Sequence, residues 1–114
     1  MEDCIFCRIA KRDIPSDIVY EDDEVLAFKD LNPQAPVHVL FITKRHIASM
    51  DKLEQGDAEI VGRLLFRAKE VAREQGIAEG GYRVVLNCNR NAGQEVFHIH
   101  AHLLGGRKFA WPPG

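Results

Sequence analysis

"EVFHIHAHLLGG", Glu95 to Gly106, sets His98, His100 and His102 at every second position of an otherwise apolar run. Successive side chains of a strand point to opposite faces, so the three histidines share one face while Phe97, Ile99, Ala101 and Leu103 fill the other. That alternation marks a half-buried strand and makes the chain sheet-based. Three roles are open to the histidines: metal ligands, a nucleophile with its support, or polar residues on a wet strand face. A rise of ~3.3 Å per residue places the outer two ~13 Å apart, whereas one zinc needs each nitrogen within ~2.1 Å. The three therefore do not share a single ion. Thr, Lys or Glu would serve a solvated face at least as well, which favours a chemical site.

The rest of the chain supplies partners for this strand. "YRVVLNC" (82–88) precedes it across the polar loop "NRNAGQ". "DIVYED" and "EVLAFKDL" read as two short strands around an acidic turn at Glu21 to Glu24, and "VHVLFITK" is a third, starting after Pro36. Between Asp57 and Gly76 the residues Ile60, Val61, Leu64, Leu65, Ala68, Val71 and Ala72 recur at helical spacing, with Asp57 as N-cap and Gly76 just past the end. Phe66 points off this stripe, as a single exposed aromatic or as part of a partner surface. "CIFCRIAKR" allows one or two helical turns, ended before Pro15. Strands, one helix, then strands predict an α+β fold: an antiparallel sheet of about five strands, one long helix and a short N-terminal helix in a single domain, 1–114.

At 114 residues with 46% hydrophobic content, one domain carries the whole function. The formal charge is −2, from 15 basic and 17 acidic residues, with no long single-sign block. Extended nucleic acid is not an expected partner, although one phosphate is compatible with this balance. No window approaches the ~18 apolar residues of a membrane span, and the N-terminus does not read as an export signal. The expected setting is the cytoplasm. Three cysteines, Cys4, Cys7 and Cys88, do not suggest a disulfide framework, and C-x2-C in a reducing compartment is metal-binding or redox-active.

Neutral imidazole is nucleophilic near pH 7, since its ordinary pKa is ~6.5. To attack phosphorus it needs one nitrogen tied to an acceptor and nearby donors for the phosphate oxygens. Flanking histidines supply such donors, and the loop from Asn87 through Gly93 brings amide groups and a glycine to the start of the same strand.

"HIHAHLL" has the His-φ-His-φ-His-φ-φ form of the histidine-triad (HIT) superfamily. "LAFKDLNPQAPVH", "GYRVVLN", "GGR" and "WPPG" extend the resemblance over nearly the whole chain, toward the Hint branch of histidine-triad nucleotide-binding proteins. The resemblance implies a homodimer that binds purine nucleotides and hydrolyses nucleoside 5′-phosphoramidates to a nucleoside monophosphate and an amine. It assigns His100 as the nucleophile forming a nucleotidyl-histidine, His102 as the contact to phosphate and leaving group, and His98 and His38 as their support. Asp30 falls where the ribose hydroxyls bind, and Leu31, Phe28, Ile9, Ile14 and Phe6 at the wall of the base pocket. Asn87 and Gly93 match phosphate-side contacts. Glu95 departs from the pattern, since better-known members carry a serine there. The helix bearing Phe66 and the strand from Tyr82 to Asn87 are expected to face the second subunit, and the resemblance carries the tail with Trp111 to the partner's active site.

Zinc-containing relatives place ligands at positions matching Cys4, Cys7, His46 and His98, which implies a structural Zn2+; the alternative is two reduced buried thiols. Two other functions stay open beside phosphoramidate hydrolysis. One is dinucleoside polyphosphate hydrolysis or nucleotidyl transfer within the same superfamily. The other is a non-catalytic nucleotide- or protein-binding module.

Overall fold

The computed structural model describes residues 3–114. Cys4 accepts the Cys7 N–H at 3.4 Å and starts α1 (Ile5–Ala10), which buries Phe6, Cys7 and Ile9. The strands β1 (Ile18–Glu21), β2 (Val25–Lys29) and β3 (Val37–Thr43) form a meander, and α2 (Ala58–Glu74) follows. β4 (Tyr82–Val85) and β5 (His100–Gly105) complete one antiparallel sheet of order β1-β2-β3-β5-β4. The histidine strand thus lies between β3 and β4, and both of its edges are paired.

β2 and β3 are almost wholly apolar because both faces of the sheet are covered. Val25, Ala27, Val39, Phe41, Ala101 and Leu103 meet Leu64, Ala68, Val71 and Ala72 of α2 on one side. On the other, Leu26, Phe28, Leu40 and Ile42 meet Phe6 and Ile9 of α1. Burying side chains the size of Phe41 and Leu26 contributes roughly 1.5–3 kcal/mol each, so the short α1 is held by this second layer rather than by its own propensity. Register pairs His100 with Ile42 and His102 with Leu40, which puts both histidines on the α1 side.

The α+β reading holds, with three local corrections. The histidine strand starts at His100, not Glu95: β3 pairs with it only from Val37 to Ile42, and beyond that the Ile99 N–H bonds the Ile47 carbonyl at 2.7 Å. His98 consequently lies off the ladder, and Phe97 is 50% exposed instead of filling the opposite face. Asp57 stands at the N-cap position of α2, but its side chain serves a preceding 3-10 turn, where it accepts the Glu54 N–H at 2.8 Å and pairs with Arg45. Leu65, read as part of the buried stripe, is 46% exposed beside Phe66 at 51%. Gly76 ends the helix as predicted: at φ +77 it lets the Ile77 N–H reach the Ala72 carbonyl at 3.0 Å. Among the described residues, no helix is long and apolar enough to cross a membrane.

Candidate active site

His38, His98, His100 and His102 converge on the α1 side of the sheet, and their tautomers follow from partners that can act in only one way. A backbone carbonyl only accepts and a backbone N–H only donates. The His100 Nδ1–H therefore donates to the His98 carbonyl at 2.7 Å, leaving the lone pair on Nε2. His38 Nδ1 accepts the Gln34 N–H at 3.1 Å, so its proton sits on Nε2 and donates to His102 Nδ1 at 2.9 Å. The remaining proton of neutral His102 is then on Nε2. Asp30 Oδ2 lies 3.4 Å from the same His38 Nε2 and reinforces that choice. Asp30, His38 and His102 stand close enough to suggest a second cation site, but a protonated His38 Nε2 has no lone pair to offer a metal.

The result is one imidazole presenting a lone pair next to another presenting an N–H. The His100 and His102 ring centres are 5.1 Å apart, and the edge of Phe6 meets His100 at 5.0 Å. Burial, then the neighbouring His100 and His38, pushes His102 down to about 4 against the opposing pull of Asp30. Burial also lowers His38, again against Asp30. Both rings are neutral near pH 7.

This depression has a consequence for stability. An unfolded histidine titrates near ~6.5, so between that pH and about 4 the unfolded chain binds more protons at these positions than the folded one. Stability is full above the unfolded value and falls as pH drops through the window, with no further loss from His102 below about 4. The urea midpoint of metal-free protein should decline between pH 7 and pH 4.5, and His102→Gln should flatten the decline. An equally steep decline in that variant would show that the loss arises elsewhere.

Beside the histidines lies an apolar cavity of about 200 Å³ lined by Phe6, Ile9, Ile14, Phe28 and Leu31, with Asp30 at its edge. The five predicted wall residues thus come together, although Leu31 is 98% exposed at the rim. Ile5, Pro15 and Leu40 also line it and were missed, because short apolar residues near a helix or strand read equally well as core. Asn87 and Gly93 stay in the β4–β5 connection. There the Asn89 N–H bonds Gln94 Oε1 at 2.8 Å, while Gln94 Nε2 donates to Ala48 and Val96 carbonyls. Glu95 lines a separate open cleft with Cys4, His46 and Phe97.

Cys4, Cys7, His46 and His98 meet as predicted, their ligand atoms all within 4.8 Å of one another. His98 Nε2–H donates to the Thr43 carbonyl at 2.6 Å, which turns the Nδ1 lone pair toward the cysteines. Tetrahedral zinc with ordinary bond lengths needs about 3.3 Å between two nitrogens and about 3.6 Å between nitrogen and sulfur. The observed separations are 3.2 Å for the two Nδ1 atoms and 3.3–3.5 Å for three of the four nitrogen–sulfur pairs. The donor set fits zinc in type, in direction and in size. Burial and the neighbouring Cys4 push the Cys7 thiol up, so without a cation there is little to draw off its proton.

Fold and site together define a small α+β domain in which a strand of histidines presents an imidazole lone pair beside an apolar pocket. The HIT domain family matches residues 11–109, and the chain belongs to that family. It is 50% identical over 106 residues to the purine nucleoside phosphoramidase of Escherichia coli (strain K12), covering 93% of this chain and 89% of that protein. It is 53% identical over 112 residues to the 14 kDa zinc-binding protein of Zea mays, covering 96% and 87%. The crystal structure of a HIT family hydrolase from Legionella pneumophila Philadelphia 1 superimposes with a TM-score of 0.97 at 51% identity, covering 98% of this chain and all of that one.

Proposed function

We propose that the protein is a nucleotide-binding hydrolase that cleaves the P–N bond of purine nucleoside 5′-phosphoramidates, with the whole chain acting as one HIT domain. The observation that carries this reading is the His100 Nδ1–H held by the His98 carbonyl, which leaves Nε2 free as a nucleophile next to an apolar pocket and Asp30. In this reading the purine occupies the pocket, Asp30 takes the ribose hydroxyls and Asn87 and Gly93 contact the phosphate, while Glu95, which lines a separate cleft, reaches the leaving group only from that side.

In the first half-reaction the Nε2 lone pair of His100 bonds to phosphorus as the P–N bond breaks. The bonding electrons leave with the amine nitrogen, which takes a proton from solvent. The Nδ1–H bond to the His98 carbonyl supports the positive charge on the nucleotidyl-imidazolium, and His102 Nε2–H donates to the phosphate oxygens. Water then attacks phosphorus, the bond to His100 breaks with its electrons returning to Nε2, and a proton returns to solvent. Zinc at Cys4, Cys7, His46 and His98 would tie α1 to the sheet and fix the His98 ring as a closed structural site.

We further read the protein as a cytoplasmic homodimer. Leu65 and Phe66 are exposed on α2, and exposed Val84 of edge strand β4 is in register with Leu103, on the helix-covered side. The tail with Trp111, 83% exposed, is read as reaching the partner's site.

Purified protein should release AMP from an adenosine 5′-phosphoramidate at least about tenfold faster than from a diadenosine polyphosphate. The reverse ranking would make it a dinucleoside polyphosphate hydrolase, and no release from either would favour a binding module.

A further inference from the structure

The "GGR" motif, Gly105 to Arg107, has no part in the reaction just described, yet it is built to a close tolerance. A Cβ on Gly105 would stand 2.5 Å from Ile77 Cδ1. Gly106 adopts φ +93, and a Cβ there would stand 2.8 Å from Pro36 Cβ. Gly105 thus lets the end of β5 pack on Ile77 and Gly106 brings it down onto Pro36, and Arg107 follows. Its Nε donates to the Gln34 carbonyl at 3.2 Å. Phe109 stacks against its guanidinium at 4.3 Å and against that of Arg83 at 5.1 Å, while Arg83 donates to the Ala110 carbonyl at 3.0 Å. The start of the C-terminal tail therefore clamps the Gln34–Ala35 peptide by its carbonyl.

The other side of Gln34 is the N–H that His38 Nδ1 accepts. We propose that Arg107 is a positioning residue: by anchoring the Gln34–Ala35 peptide it limits rotation about the Gln34 backbone, keeps the N–H of the preceding peptide on His38 Nδ1, and so fixes the tautomer of His38 and through it that of His102. The chain of donors runs from Gln34 N–H to His38 Nδ1, and from His38 Nε2–H to His102 Nδ1. Only that order leaves His102 Nε2–H free to face the phosphate. If the loop relaxes and the Gln34 N–H turns away, only Asp30 still favours the proton on His38 Nε2, and a share of molecules carries it on Nδ1 instead. His102 then donates from its own Nδ1 to His38 Nε2, and its Nε2 turns a lone pair toward the phosphate oxygens. That reversed pair replaces an attraction by a repulsion at the reacting group, so the clamp matters although Arg107 touches no substrate.

The kinetic part of this inference rests on the hydrolase reading; the tautomer part does not. Nitrogen-15 NMR of imidazole-labelled, full-length protein distinguishes protonated from unprotonated ring nitrogens. Wild type should show both His38 and His102 protonated at Nε2 and bare at Nδ1. Arg107→Met keeps an unbranched apolar stem, removes the donors and lies on the surface. It should give a mixture of tautomers at both rings, with kcat for an adenosine phosphoramidate lowered about fivefold and KM within about twofold, the size expected for one hydrogen bond. Gln34→Pro removes the N–H itself and should move the tautomers further. An Arg107→Met protein with the wild-type single tautomer overturns the proposal. Wild-type protein without phosphoramidate turnover but with the tautomers as described would overturn the hydrolase reading alone.

Discussion

Replacing His100 by alanine is expected to lower kcat/KM for an adenosine 5′-phosphoramidate by at least about a thousandfold, because no other group of the site can take over the covalent step. His38 and His102 are committed to each other and to Gln34, and the His98 lone pair faces the cysteines across the cluster. Among the described residues, His100 is the one of these four histidines that presents a lone pair no neighbouring group claims. The substitution removes a ring in edge contact with Phe6 but leaves the apolar pocket and Asp30 in place. Nucleotide affinity should accordingly change by less than about tenfold. Rapid alkaline quench of the wild type, followed by mass mapping at high pH, should find the nucleotidyl group on His100. A variant with near-wild-type turnover, or an adduct on another residue, would remove His100 from the mechanism.

Loss of the metal cluster is expected to act on stability far more than on chemistry. Cys4→Ser/Cys7→Ser protein should hold no zinc, while wild type purified without added metal should hold about one ion per chain. Ligand binding to the folded state stabilises it by about 4 kcal/mol when the free ligand exceeds Kd a thousandfold, and for a domain of this size that corresponds to a Tm shift on the order of 15 °C. The cluster joins the start of α1, through Cys4 and Cys7, to His46 beyond β3 and His98 before β5, so its loss releases three segments together. A strong chelator should bring wild type down to the Tm of the double variant and leave that variant unmoved. kcat should fall by no more than about tenfold, since the His98 carbonyl that orients His100 belongs to the backbone. Substoichiometric zinc in wild type, or equal zinc in both proteins, would leave Cys4 and Cys7 as two buried thiols.

Much of this arrangement is written in the order of residues. The period-two pattern of Ala101 and Leu103 against His100 and His102 specifies a strand and its faces, because any other register would bury imidazoles under α2 and expose the apolar set. The 3.6-residue recurrence of Ile60, Leu64, Ala68 and Val71 specifies the helix that covers that apolar face. Leu65 fails the pattern because periodicity marks a stripe and not its width, and a stripe one residue too wide can also serve a partner.

The sequence by itself singled out the candidate histidines, the common face of His100 and His102 and the family of the fold. It also named the four members of the Cys2His2 cluster, the cysteine pair by its C-x2-C spacing and the two histidines only through resemblance, since 39 and 94 residues separate members that the sheet brings into contact. Only the tertiary structure decided what each imidazole can do. That choice rests on the Gln34 N–H and on the carbonyls of Thr43 and His98. Every non-proline residue has the same backbone donor and acceptor, so no letter of the sequence distinguishes one that meets a histidine from one that meets water. Position in the folded chain selects the partner, and the partner selects which ring nitrogen keeps its lone pair.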